Sequence, residues 1–164
     1  MRRGRRGNSI LETMLWLPFI LLLLVGMVQV GKVTYIYYTL KKTVYSVATQ
    51  IAASQGVDFC NNEDPAIVSA KALALSGSVE IGAESTIPSL TADMLQVDTE
   101  CVDPGTNAPG PCNLGSCDSP GGQARPDYIV VSIPNGFEVP LRFPYMLVDP
   151  ILLRPQVRVP FGGT

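Results

Sequence analysis

Apolar and polar positions fall into two regimes along this chain. Between Glu12 and Lys32 lie 19 consecutive residues without a formal charge, running TMLWLPFILLLLVGMVQVG. As a helix these would span roughly 28 Å at ~1.5 Å per residue, close to a ~30 Å hydrocarbon core. A helix satisfies its own backbone in lipid, so residues 8–31 are predicted to be a transmembrane helix. Beyond Gly31 the pattern changes. Val33, Ile36, Tyr37, Leu40, Val44, Val47 and Ile51 recur every three or four positions, the period of one apolar helix face. Lys32, Lys41, Lys42, Thr43 and Gln50 fall mostly off that stripe. An amphipathic extension over 32–55 is therefore expected, with one helix from about Ser9 to Ser54 and a stop near Gly56.

The remainder, 56–164, reads as an α+β head. Asp64 and Pro65 provide a cap and a first position for a short helix over Ala66–Ser76, which ends at Gly77. Strands are predicted at 94–102, at the β-branched run 128–133, at 137–141 and at 151–159. Asn135-Gly136 signals a hairpin between the second and third of these. Pro155 pushes the last toward an edge or a bulge. Phe143 to Asp149 reads as a short apolar helix or a loop dipping toward the membrane or a neighbour. The segment 103–126, rich in glycine and proline, is expected to be a long loop with little regular structure.

Charge sharpens the two-part picture. Arg2, Arg3, Arg5 and Arg6 precede the apolar run, and Lys32, Lys41 and Lys42 follow it. The positive-inside rule places the N-terminus in the cytoplasm and the head outside. Tyr35, Tyr37, Tyr38 and Tyr45 suit either an interfacial aromatic belt or packing between helix and sheet. A secretory signal peptide would have a shorter apolar core and a small-x-small cleavage site, which Val28-Gln29-Val30-Gly31-Lys32 does not offer. An unprocessed membrane anchor carrying a binding module is the alternative.

Composition argues against an enzyme. The chain has no histidine, which removes the usual neutral-pH base and the commonest metal ligand. Nothing resembles a catalytic triad, a phosphate-binding glycine loop or a cofactor motif, so neither catalytic residues nor cofactors are expected. A formal charge of −2 gives no footprint for nucleic acid. Cys60, Cys101, Cys112 and Cys117 lie on the outer side, where an even count implies two disulfides with three possible connectivities. Cys112–Cys117 would staple the Gly/Pro loop and Cys60–Cys101 would tie the helix exit to the first strand. A four-thiolate zinc site lacks any Cys-x2-Cys pair.

Glu12 is the residue that the apolar run does not explain. A carboxylate at the head of a membrane helix is costly and marks a partner. Cleavage between Gly7 and Asn8 would make Glu12 the fifth residue of the new chain, about one helical turn from a new α-amino group. A neighbouring copy shifted by a turn could set its amine on this carboxylate. Arg5-Arg6-Gly7, then Asn8-Ser9-Ile10-Leu11-Glu12 and an apolar stem, resemble the N-termini of type IV pilins and pseudopilins. The spacing from Glu12 to Pro18, followed by a leucine-rich run, is similar to the TadE-like minor pseudopilins of tight-adherence pilus systems. The likeness covers roughly residues 5 to 55.

That resemblance implies a basic leader, 1–7, removed at Gly7 and Asn8 by a prepilin peptidase. It implies a pilin-like fold in the bacterial inner membrane, with assembly through Glu12 and Pro18. The implied partners are other pilin or pseudopilin subunits, the inner-membrane assembly platform and the lipid bilayer, and the implied role is pilus-mediated attachment. Pro18 has two readings, a tolerated membrane-helix kink or a local melting that helps stems pack. Without residues 1–7 the side chains would carry 8 basic and 14 acidic groups, so the near-neutral balance belongs to the precursor.

Overall fold

The computed structural model describes residues 5–59, 61, 63–77, 85, 87–112, 126–143, 146–147 and 149–162. Its dominant element is α1, Arg5–Ala53, a single helix of 49 residues that runs through Pro18. The apolar run and the amphipathic run are therefore one rod, about 74 Å long at ~1.5 Å per residue. It begins four residues earlier than the apolar pattern predicts, so Gly7 and Asn8 lie in helical backbone.

Only the second half of α1 enters the core. Leu40, Val44, Val47 and Ile51 are fully buried, with Ala48 beside them. This face packs on the head sheet and on α2, Pro65–Ser76. Thr43, expected off the stripe, is also buried. Its hydroxyl donates to the Thr39 carbonyl at 3.1 Å, so the helix itself satisfies the polar group. Helix α2 starts as its sequence indicates. Asp64 accepts the Ala66 N–H at 2.8 Å, and Gly77 ends the helix at φ 75°.

The sheet consists of β1 (Gln96–Val102), β2 (Pro109–Pro111), β3 (Tyr128–Ser132) and, last in the chain, Gln156–Pro160. Between β3 and that final strand come β4 (Phe137–Val139), β5 (Arg142–Phe143), β6 (Met146–Leu147) and β7 (Ile151–Leu153), which makes the final strand β8. The four-stranded order is β2-β1-β3-β8, with every neighbouring pair antiparallel. An α+β architecture with a long apolar N-terminal helix is thus observed. Val97, Ile129 and Val131 point toward α1, while Asp98, Glu100, Tyr128 and Arg158 alternate onto the opposite face.

The C-terminal third differs from the expected order of hairpins. β4 does not pair with β3 across Asn135-Gly136; it pairs with β7, and β5 pairs with β6. Tyr128 faces Pro160, Phe137 faces Leu153 and Phe143 faces Met146, so 128–160 goes out and returns along itself as one interrupted antiparallel ribbon. The interruption sets Ile133–Gly136 opposite Arg154 and Pro155. Pro155 splits the expected last strand into β7 and β8. Proline gives the ladder no N–H, so Ile133 donates to the Pro155 carbonyl at 3.3 Å and receives no bond in return. Gly136 closes the bulge at φ 79°, and a Cβ there would meet Leu152 and Arg154 at 3.3 Å. Where an apolar helix or loop was expected over Phe143–Asp149, the described residues form the short β5–β6 pairing.

Candidate assembly surface of the long helix

The first described side chain of α1, Glu12, is exposed, and the residues after it are exposed all round the helix. Leu15 is 72% exposed, Trp16 57% and Phe19 64%; Leu21 to Leu24 are likewise open. No residue in the most apolar 18-residue window is buried, and the helix is long and apolar enough to cross a membrane. A core helix of a water-soluble domain would bury such a stretch, because each large aliphatic or aromatic side chain gains ~1.5–3 kcal/mol on leaving water. Here nothing among the described residues covers it. Pro18 leaves one carbonyl without its helical donor, yet helical backbone continues on both sides. Trp16 and Phe19 touch beside it, with ring centroids 6.2 Å apart.

Covering of the helix begins gradually. Val25, Gln29, Val33 and Ile36 are half-buried, and full burial starts at Leu40. The opposite face stays open. Tyr35, Tyr38 and Tyr45 are exposed, as are Lys41 and Lys42. Of the two readings for the tyrosines, packing between helix and sheet therefore fails for these three. Tyr37 stacks edge-on to Tyr38 with centroids 6.1 Å apart.

The chain after β8 is fastened to the end of this helix and to the segment that follows it. Gly162 N–H donates to the Ala52 carbonyl at 3.2 Å, which ties the chain after β8 to the last turn of α1. Phe161 packs edge-on against Phe59 at 5.6 Å. On the outer face of the sheet, Arg158 pairs with Glu100 at 2.9 Å and lies 3.8 Å over the Tyr128 ring. Lys71 of α2 is a buried cation that no sequence pattern announces. Burial lowers its pKa, and the nearby Asp93 carboxylate partly opposes that shift.

The disulfide pairing departs from expectation. Cys101 bonds Cys112, with Cα atoms 4.7 Å apart, rather than Cys60 with Cys101 and Cys112 with Cys117. The cause is β2, a strand that Pro109-Gly110-Pro111 does not suggest. Cys112 N–H donates to the Thr99 carbonyl, and Cys101 lies opposite Gly110, so the two cysteines meet across one ladder. Both prolines occupy the alternate positions, whose missing N–H groups would point away from β1. The connecting turn is held by Asp103, which accepts from Gly105 N–H at 3.1 Å and from the Thr106 hydroxyl at 2.7 Å. These bonds favour the charged carboxylate and lower its pKa. Cys60 and Cys117 lie outside the described residues.

Among the described residues no group of three or more acidic, cysteine or histidine side chains could hold a metal ion. Gly7 and Asn8 share the first turns of α1, about one turn before Glu12, and Pro18 lies further along the same rod. The chain matches no family model, no curated protein and no solved structure.

Proposed function

We propose that this chain is a minor pilin or pseudopilin subunit of a tight-adherence-type pilus. On this reading it is inserted in the bacterial inner membrane with its N-terminus in the cytoplasm, and a prepilin peptidase trims it after Gly7. The observation that carries the reading is the two-part helix: one continuous rod, uncovered and apolar over its first half, locked into a small sheet over its second. A stem of this form extracts from lipid only if another apolar surface replaces the lipid, and neighbouring stems of the same kind provide it.

Glu12 supplies the register in this mechanism. Its carboxylate is stabilised in lipid when the new α-amino group of an adjacent subunit sits beside it, and a shift of one turn between subunits brings them together. Pro18 frees one carbonyl just after that contact, while the helix runs on through it. Replacing Glu12 by Ala tests the mechanism: membrane insertion and head folding stay intact, while co-purification with partner subunits and piliation fall. Unchanged piliation and co-purification in that variant would sink the charge-pairing mechanism.

A further inference from the structure

Strand direction decides which end of the head lies nearest the stem. Helix α1 rises from the apolar run, and its last turn is bonded to the chain after β8. Gly162 N–H donates to the Ala52 carbonyl, and Phe161 N–H donates to the Asp127 carbonyl just before β3. β8 therefore ends, and β3 begins, beside the end of α1 farthest from the stem. Both strands pack on α1, and nearly all of that helix lies below Ala52, so β3 runs back toward the stem. The ribbon 137–153 continues past the lower end of β3 in the same direction.

Its length is sufficient to reach the membrane. The chain from Asp127 to Phe143 spans roughly 53 Å when extended, at ~3.3 Å per residue. From Ala52 down to Lys32 the helix spans about 30 Å at ~1.5 Å per residue. A strand tilt of about 40° still leaves roughly 40 Å of reach. The cover on α1 agrees with this descent. Val25 and Gln29 are half-buried on the stripe that faces the head, whereas Leu24, Met27 and Val28 beside them are exposed. Val25 lies about 10 Å below Lys32.

The ribbon also changes composition as it descends. Residues 143–148 read FPYMLV, an uncharged run between Arg142 and Asp149. Outside α1, Ile151 at 40% and Leu152 at 48% are the large apolar side chains exposed among the described residues, and both lie on β7, the strand returning from that run. Together they make one end of the head apolar, as a contact surface is. A two-stranded ribbon keeps unpaired backbone groups along its edges, which hydrocarbon would leave unsatisfied. The headgroup layer, wet and hospitable to aromatic rings, is the level that suits it.

We infer that the β5–β6 end of the ribbon is a second membrane contact, resting in the headgroup layer beside α1, so that the subunit meets lipid at two points. One helix alone leaves the subunit free to tilt and to slide along its axis. A second contact sets tilt and depth, and with them the level at which Glu12 sits. The inference rests on the membrane-anchored reading above and goes beyond it by assigning a lipid contact to the head.

The test uses full-length chain purified from membranes and reconstituted in phosphatidylcholine vesicles. Trp16 is the one tryptophan, so Met146→Trp in a Trp16→Phe background places a single fluorophore on the ribbon. Lipids brominated near the headgroup end of their acyl chains should remove its emission more strongly than lipids brominated at the chain ends. Aqueous iodide should quench it several-fold less than Asp98→Trp in the same background, since Asp98 is exposed on the sheet. Leu147→Trp gives the same reading from the adjacent position if tryptophan is not tolerated at 146. Emission quenched by iodide as readily as at position 98 would overturn the inference, as would emission shielded from both bromine and iodide, the mark of a site covered by protein. Trp16 in the otherwise unaltered chain reports on the stem. If bromine does not quench it, the membrane anchor itself is refuted; if bromine quenches Trp16 while the probe at 146 stays in water, the ribbon contact alone is refuted.

Discussion

The two halves of α1 are built from similar side chains on one uninterrupted backbone, yet they obey different rules. From Met14 to Leu24 the large apolar residues are exposed in every direction, while from Leu40 to Ala52 a single face is sealed in the core. The distinction lies in what stands around each half. The lower half has no polar face to offer water and is long and apolar enough to cross a membrane; the upper half has a polar face, and folds a domain onto the other. A continuous helix lets the head's position be set by the stem, because no hinge separates them among the described residues.

The comparison breaks most readily from the covered half. Leu40→Ala should destabilise the head by about 2–5 kcal/mol, through lost burial and the cavity left behind. Leu22→Ala, of identical chemistry in the exposed half, should leave the head's unfolding midpoint unchanged. Denaturant unfolding of the detergent-solubilised chain checks both, and equal effects would erase the distinction. Next in size is the disulfide. Replacing Cys101 and Cys112 together by Ser opens a loop with a sequence separation of 11, which should cost about 3 kcal/mol by loop-closure entropy. Non-reducing peptide mapping should find Cys101 joined to Cys112.

Smaller effects belong to α2, the helix that supports the covered half. Asp64→Ala removes the cap on Ala66 N–H and should cost about 1 kcal/mol, while Asp64→Asn should retain most of it. Lys71 offers a pH signature. Its folded pKa lies below the ordinary 10.5, so the folded head releases a proton before the unfolded chain does. Stability contributed by this group therefore rises with pH between the folded pKa and 10.5, and Lys71→Met should flatten that rise and raise stability at neutral pH. A thermal melt series across alkaline pH reads it.

Local signals were enough for the helices and not for the pairing. The three-to-four period of Val33 to Ile51 names the buried face, because a helix repeats its environment at that spacing, and Asp64-Pro65 with Gly77 bracket α2 through their own backbone preferences. Strand positions were also legible from β-branched runs. Partner choice was not, since it depends on residues far apart in sequence. Asn135-Gly136 has the chemistry of a hairpin turn, but the chain uses it to close a bulge, and β4 finds β7 instead of β3. Pro109-Gly110-Pro111 looks like a strand breaker, yet its donors fall only where β1 needs them, and the Cys101–Cys112 bond follows from that register. In the candidate assembly surface, Glu12 and the tyrosines were visible as residue types that the apolar pattern leaves unexplained. The shared exposure of Tyr35, Tyr38 and Tyr45 on the face opposite the head needed the packing of α1.

The mass of the mature N-terminus, measured on chain purified from membranes, tests the central claim most directly. A chain that begins at Asn8, having lost residues 1–7 while keeping the apolar stem, is the predicted result. An intact Met1, or a cut downstream of the apolar stem, would contradict it.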